Sequence, residues 1–234
     1  VAVPASHLVS IPENMSFVEA AAAAEVFFTA FYNLCIVGEL KPQETLLVHG
    51  GGSGVGTAAI QLAKNMGASV ITTAGSSEKL ERCLQLGADH AIDYHEEDFA
   101  ARVAQITEDR GVDVILDWIG ASYLARHVDS LAVRGRLVLI GLMGGAKGEI
   151  SLAHLLTKRL RIMGSVLRSQ SLEEKAAITR AFQDQVLPLF RENKLHPVVD
   201  RVFPVTAVEE AHEYLRDGKH FGKVVLSWQE CGTQ

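Results

Sequence analysis

The residues best placed to do chemistry sit in one run, His49-Gly50-Gly51-Gly52-Ser53-Gly54-Val55-Gly56. A strand-like stretch, Thr45-Leu46-Leu47-Val48, precedes it, and Thr57-Ala58-Ala59-Ile60-Gln61-Leu62-Ala63 opens a helix after it. A glycine turn between a buried strand and a helix start can seat a pyrophosphate. Glycines let the backbone approach the ligand, and the helix N-terminus offers unpaired N–H groups and a positive dipole end. Gly51 and Gly56 fit the G-x-G-x-x-G frame, while Ser53 holds its middle position. The alternative is a tight turn with no ligand; the strand-turn-helix context favours the nucleotide. Gly52, Ser53, Gly54 and Val55 are then the expected contacts.

Cofactor choice is read at the end of the next strand. Dinucleotide folds selective for NAD place Asp or Glu there, to hydrogen-bond the adenosine ribose. Here residues 69–73 run into Ala74-Gly75-Ser76-Ser77, with no acid before Glu78. An acid would repel a 2′-phosphate, whereas Gly75 and Ser76 leave room for one. Lys79, one turn into the following helix, can reach a phosphate as a point charge. Tyr94, after the next strand, can cover the adenosine or donate its hydroxyl. The bland reading is a surface lysine and a packed tyrosine. NADP is favoured over NAD.

Further candidates are less specific. Thr29 lies in an apolar helix, where a hydroxyl commonly bonds back to the helix carbonyl. Asp117-Trp118-Ile119-Gly120 ends a strand; Gly120 gives room for a ribose, and Asp117 is either a cap for the next helix or a ribose contact. His7, His90, His95, His154, His196 and His212 show no metal-ligand spacing, and no Ser-His-Asp set is visible. Val55 breaks the G-x-S-x-G frame that would make Ser53 a nucleophile elbow. Cys35, Cys83 and Cys231 form no C-x-x-C pair, which argues for reduced thiols in a cytosol-like compartment.

These residues need a scaffold, and the pattern supplies one. Ser16 with Glu19 makes an S-x-x-E capping box, so a helix starts near residue 17 and runs to about 37, with Gly38 as C-cap. Strands are expected at 45–49, 69–73, 90–93, 112–117 and 136–140, with helices at 54–66, 78–86, 98–108 and 123–131. Short strands rich in Val, Ile and Leu alternating with helices predict a doubly wound parallel sheet with ligands at its C-terminal edge. Beyond Gly141 come a short helix at 152–157, a strand at 161–167 and a long helix at 172–190. The end reads strand 199–203, helix 207–216, strand 222–227.

Composition sets the outer bounds. The 234 residues are 48% hydrophobic and 21% charged, which is ordinary for a globular chain. A net charge of −6 gives no footprint for nucleic acid. The apolar stretch 17–37 contains Glu19, Glu25 and Asn33, which argues for a buried helix and against a membrane span. The chain begins in a strand-like pattern, Val1-Ala2-Val3-Pro4, without Met, as the tail of a larger fold would.

His49–Ala63, Gly141-Leu142-Met143-Gly144-Gly145, Ser165-Val166-Leu167-Arg168-Ser169 and Gly222-Lys223-Val224-Val225-Leu226 together resemble the zinc-independent quinone oxidoreductases of the medium-chain dehydrogenase/reductase superfamily. The resemblance runs from Val1 to Leu226. It implies an α/β Rossmann domain over 21–168. Residues 1–20 would be the tail of a GroES-like catalytic domain, and 169–234 the return to it. Roughly a hundred residues, a domain-sized piece, would precede Val1. The implied reaction is hydride transfer from NADPH to a quinone. Alternatives are an enoyl or alkenal reductase of the same superfamily, or a non-catalytic NADPH-binding module.

By the same resemblance, Gly75, Lys79 and Tyr94 match a 2′-phosphate pocket, completed by His220 or Lys219. Thr29, Gly141, Leu142, Met143, Leu167 and Arg168 lie toward the nicotinamide. Arg168 alternatively serves an interface ion pair. Glu25 falls where zinc-dependent relatives carry a cysteine ligand, so no metal is expected. No residue is assigned as a catalytic acid. The family pairs edge strands across a two-fold axis, which predicts a homodimer through Leu160-Arg161-Ile162-Met163-Gly164-Ser165-Val166. A cytoplasmic location is expected, with no membrane or nucleic-acid partner.

Overall fold

The computed structural model describes residues 2–228; Val1 and Cys231 lie outside them. Residues 2–4 form no strand, and Ala5–His7 is a single 3₁₀ turn. The first long helix, α1 (Phe17–Phe31), starts at a complete capping box, with Ser16 N donating to Glu19 Oε2 at 2.8 Å and Glu19 N donating to Ser16 Oγ at 3.2 Å. It does not remain α-helical to residue 37. Tyr32–Val37 widens into a π-helix closed by Gly38 N donating to Asn33 O at 2.9 Å. Residues 17–37 are long and apolar enough to cross a membrane. Their Ala23, Val26, Phe27, Ala30 and Phe31 stripe instead belongs to the core, with Phe27 edge-on to Phe190 at 4.8 Å.

Six parallel strands form the main sheet: β1 (Thr45–Val48), β2 (Ser69–Ala74), β3 (His90–Asp93), β4 (Val112–Asp117), β5 (Leu131–Leu139) and β6 (Arg161–Gly164). Their spatial order is β3-β2-β1-β4-β5-β6. The chain winds outward from β1 in one direction and from β4 in the other, so β1 and β4 flank the switch point where such sheets open a ligand crevice. Alternate residues of β1 serve opposite faces: Leu46 and Val48 enter one core, Leu47 the other. The first core takes α1, α2 (Gly54–Asn65) and part of α3 (Ser77–Gln85). The second takes α4 (Phe99–Ile106) and α5 (Ala121–Ser130).

Past β5 come α6 (Leu152–Lys158), then β6, then a single 3₁₀ turn at Leu167–Ser169 where the sequence pattern predicts continued strand. The expected helix at 172–190 breaks into α7 (Leu172–Gln185) and α8 (Leu187–Arg191) around Val186. Pro188 explains this, because it lacks an N–H and crowds the carbonyl one turn back. β7 (Val199–Pro204) and β8 (Lys223–Ser227) make a separate two-stranded parallel sheet, with α9 (Val208–Arg216) between them in sequence. Gly222 N donates to Gly52 O at 2.8 Å, which brings the start of β8 against the glycine loop.

Candidate cofactor and substrate site

The glycine loop connects β1 to α2 at the switch point. Ser53, the departure from the G-x-G-x-x-G frame, is the N-cap of α2: its Oγ accepts from Gly56 N at 2.9 Å, and its carbonyl accepts from Thr57 N at 2.9 Å. Gly54 and Val55, the first two helical residues, keep N–H groups without intrahelical partners. Glycine at 56 is compulsory. A Cβ there would stand 2.4 Å from Gly50 O and 2.8 Å from Gly51 Cα. The loop therefore fits a pyrophosphate by shape, dipole and available donors.

Next to the loop lies a cavity of about 1020 Å³. Thr29, Ser53, Gly54, Val55, Gly141 and Met143 reach its wall. So do Leu167, Arg168 and His220. Phe28, Trp118 and Ile178 give the wall its apolar character. Three polar atoms of its lining residues are buried and unpartnered: Asn33 Oδ1, Ser165 Oγ and His220 Nδ1. Such atoms are costly unless a bound group satisfies them.

Along α1 and into the π-helix that follows it, Glu25, Thr29 and Asn33 recur every four residues and form one polar stripe. Thr29 Oγ1 donates to Glu25 Oε1 at 3.0 Å, and Asn33 Nδ2 donates to Thr29 O at 2.8 Å. Thr29 thus bonds to a side chain and not to a helix carbonyl. Lys223 comes from β8 and lies across the loop: a Cβ at Gly54 would meet its Cδ at 2.5 Å, and its Nζ is 3.9 Å from Glu25 Oε2. Glu25 is the carboxylate of the described lining and is joined by His7 and His220, with no cysteine. Among the described residues these three are not gathered within ligand distance of one another, and Glu25 already faces Thr29 and Lys223.

The adenosine end forms a second cluster outside this cavity. β2 and β3 stop together, with Ala74 opposite Asp93 and Tyr94 N donating to Ala74 O at 3.2 Å. A Cβ at Gly75 would stand 2.4 Å from Tyr94 Oη, so Tyr94 packs over this glycine. Ser76 caps α3 through Lys79 N. The Lys79 ammonium bonds Gly218 O at 2.5 Å, and so its charge rests toward the C-terminal segment.

Gly120 and Leu142 lie against each other. Gly120 has φ +84, and a Cβ would stand 2.8 Å from Gly145 O and 3.0 Å from Leu142 Cδ2. Its glycine makes room for the Gly141–Gly145 loop. Asp117 does not cap α5, whose N-cap is Gly120: its Oδ1 accepts from Ile119 N and its Oδ2 from Gly120 N, both at 2.8 Å, in the turn before the helix. Burial pushes its carboxyl up to about 6, although both N–H groups favour the charged form.

Behind the loop lies a group that the sequence pattern does not single out. His49, Asp117 and His127 offer ligand atoms within 4.8 Å of one another, fully enclosed. His49 Nδ1 pairs with Thr73 Oγ1 at 3.1 Å, and Gly50 N donates to that same oxygen at 3.2 Å. Burial holds His127 down to about 3 and His49 well below its ordinary range. No sequence spacing links the three; β1, β4 and α5 bring them together.

A family model described as zinc-binding dehydrogenase matches residues 54–183. The chain belongs to the medium-chain dehydrogenase/reductase superfamily. Its six-stranded sheet is the Rossmann-like NADP(H)-binding domain of that superfamily. Among curated relatives, a phenolphthiocerol/phthiocerol polyketide synthase of Mycobacterium tuberculosis is 31% identical over 97% of this chain and 10% of its own length. An NAD-dependent alcohol dehydrogenase structure is 37% identical over 97% of this chain and 63% of its own, with TM-score 0.85. A mycobacterial protein solved with NADPH is 30% identical over 96% and 70%, TM-score 0.85. A quinone oxidoreductase of Pseudomonas syringae is 29% identical over 96% and 69%, TM-score 0.84; the CurK enoyl reductase is 30% identical over 96% and 67%, TM-score 0.82. The chain thus spans a tenth of the curated relative and about two thirds of the solved ones.

Within this superfamily the nicotinamide half of the expected set is brought together, and the 2′-phosphate half forms a separate cluster. Lys223 and Asn33 are among the polar lining residues not expected from the sequence, as are Lys175 and Thr179. Lys223 had a signal, its place in Gly222-Lys223-Val224-Val225-Leu226, but nothing local says that this strand returns to the loop. Asn33 had one as well, its spacing of four residues from Thr29 and eight from Glu25.

Proposed function

We propose that this chain carries the cofactor site of an NADPH-dependent, zinc-independent reductase of electron-poor conjugated carbonyl compounds, with quinones as the first substrate class. The observation that carries the reading is the continuity of the Ser53–Val55 helix start with a chamber walled by Phe28, Trp118, Met143 and Ile178. A flat apolar acceptor suits such walls, and the charged lining residues are Glu25, Arg168, Lys175 and Lys223.

Bound NADPH supplies the hydride. The glycine loop and Lys223 hold the diphosphate, Gly75, Ser76, Lys79 and Tyr94 take the adenosine end, and Gly141, Met143, Leu167 and Arg168 face the nicotinamide half. Thr29 Oγ1 gives its proton to Glu25 and keeps lone pairs for a donor in the chamber. The apolar wall excludes water, and orientation is the protein's main contribution. Residues 1–20 and 169–228 belong with a second domain in this reading. The edge of β6 pairs two copies, and free Cys35 and Cys83 support a cytoplasmic setting.

A second reading, reduction of an enoyl thioester, is supported by the polyketide synthase relative and the enoyl reductase structure. NADPH consumption with ortho- and para-quinones, enoyl thioesters and alkenals separates them. Turnover of quinones above thioesters supports the first reading, and the reverse order supports the second. Oxidation of simple alcohols with NAD⁺ and no reduction of either acceptor overturns both.

A further inference from the structure

We propose that His95 is a ligand of the cofactor's 2′-phosphate, acting with Tyr94, and that it is one of the residues setting preference for NADPH over NADH. The inference rests on the NADP(H) reading above and adds a residue to it.

The geometry at Gly75 carries the argument. A Cβ there would lie 2.4 Å from Tyr94 Oη and 3.0 Å from His95 Nε2. Two consecutive side chains therefore bring their polar tips over one Cα, at the end of the strand that decides cofactor choice. Consecutive residues in a strand would point to opposite faces. These two do not, because the chain has left β3 and is fastened in a turn. His95 N donates to Asp93 Oδ1 at 2.9 Å, and Glu97 N donates to Asp93 O at 2.8 Å. The rings consequently lie 4.4 Å apart, tilted by 52°. Asp93 spends that oxygen on the backbone of His95 and not on its ring.

The chemistry of the tips selects the ligand. A phenol hydroxyl and an imidazole N–H are both donors suited to a phosphate oxygen. Among the described residues neither tip has a hydrogen-bond partner of its own, and both side chains are exposed. The lysine expected here is otherwise engaged, since Lys79 Nζ bonds Gly218 O. β2 ends without the carboxylate that would favour an unphosphorylated ribose. The arrangement suits a phosphomonoester and offers little to an unphosphorylated ribose.

The test is calorimetric binding of NADPH, NADH and adenosine 2′,5′-bisphosphate to the full chain, its His95→Ala and its His95→Lys variants, with the His95 imidazole followed by NMR. His95→Ala should weaken NADPH and the bisphosphate about tenfold. NADH should change less than twofold, and His95→Lys should restore NADPH. The imidazole resonances should move with NADPH and the bisphosphate and stay still with NADH. Equal weakening of NADPH and NADH, or unchanged NADPH binding, overturns the role of His95. If the unmodified chain already binds NADPH and NADH equally, the 2′-phosphate site itself fails and His95 with it. If it prefers NADPH and His95→Ala keeps that preference, only the assignment of His95 falls.

Discussion

His127 Nε2 lies 2.9 Å from His49 Nε2, with both rings fully buried against Phe99 and Tyr123. At that distance one nitrogen must carry the proton and the other accept it, so the pair is neutral and cannot take up a charge cheaply. Asp117 lies 3.8 Å from His127 and adds little attraction for a charged ring.

Acid should therefore destabilise the fold near neutrality. The histidines titrate below their unfolded value, so the unfolded chain binds protons first as pH falls below 6.5, and stability drops with it. For His127 alone the loss at pH 5 is about 2 kcal/mol. Asp117 acts in the opposite sense: its folded value of about 6 exceeds its ordinary 3.8, which returns about 1 kcal/mol over the same interval. His49 adds to the loss. Urea midpoints should fall from pH 7 to pH 5, and a His49→Leu/His127→Leu double variant should flatten or reverse that slope. A slope unchanged in the double variant would place the acid sensitivity elsewhere.

A pair of glycine variants separates propensity from fit. Alanine outranks glycine in a helix by about 1 kcal/mol. Gly56→Ala should nevertheless destabilise the chain by more than about 2 kcal/mol and abolish cofactor binding, because the new methyl group meets Gly50 O and Gly51 backbone. Gly54→Ala meets the flexible Lys223 chain and Val26 Cγ1, so its cost should be smaller and its main effect on affinity. Thermal unfolding with and without NADPH distinguishes the two. Equal effects would mean that the loop yields more than its geometry implies.

These glycines also mark how far the sequence could be read. Gly51, Ser53 and Gly56 announced the loop because a strand-turn-helix junction with a capping serine is local chemistry. Ser16 and Glu19 announced α1 for the same reason. The π-helix at Tyr32–Val37 was not legible, since it depends on how Gly38 and Arg136 hold the chain, with Arg136 Nε donating to Gly38 O at 2.9 Å. Nor was the place of Lys79, whose charge is turned by a carbonyl 139 residues away. The buried histidines were missed because a lone His49 beside glycines and a His127 in a helix carry no spacing signal. Long-range return, above all of β8 onto the loop, is what the pattern lacks.

Lys223 offers a test of that return. Its side chain crosses the N-terminus of α2 while its ammonium faces Glu25, so a diphosphate at the loop would compete with Glu25 for the same charge. Lys223→Ala should weaken NADPH and NADH alike, by about fivefold, because the diphosphate is common to both. Glu25→Gln should tighten both by about twofold, the scale of an exposed ion pair. Titrations at two salt concentrations check the electrostatic origin. Weaker binding in Glu25→Gln would mean that Glu25 serves the cofactor and does not compete with it.

The open edge of the sheet gives the last prediction. β6 pairs with β5 and has no partner strand on its other side among the described residues. Such an edge attracts a second strand unless charge, proline or a covering element blocks it. A Cβ at Gly164 would meet nothing within 4 Å, so a side chain there leaves the single chain undisturbed while filling the space a paired edge needs. Gly164→Lys should therefore convert a dimer into a monomer, read by light scattering at micromolar concentration, with NADPH affinity preserved because no residue of β6 lines the cavity, whose wall begins at Ser165. A dimer that survives Gly164→Lys would move the interface away from β6, and a monomeric unmodified chain would remove it.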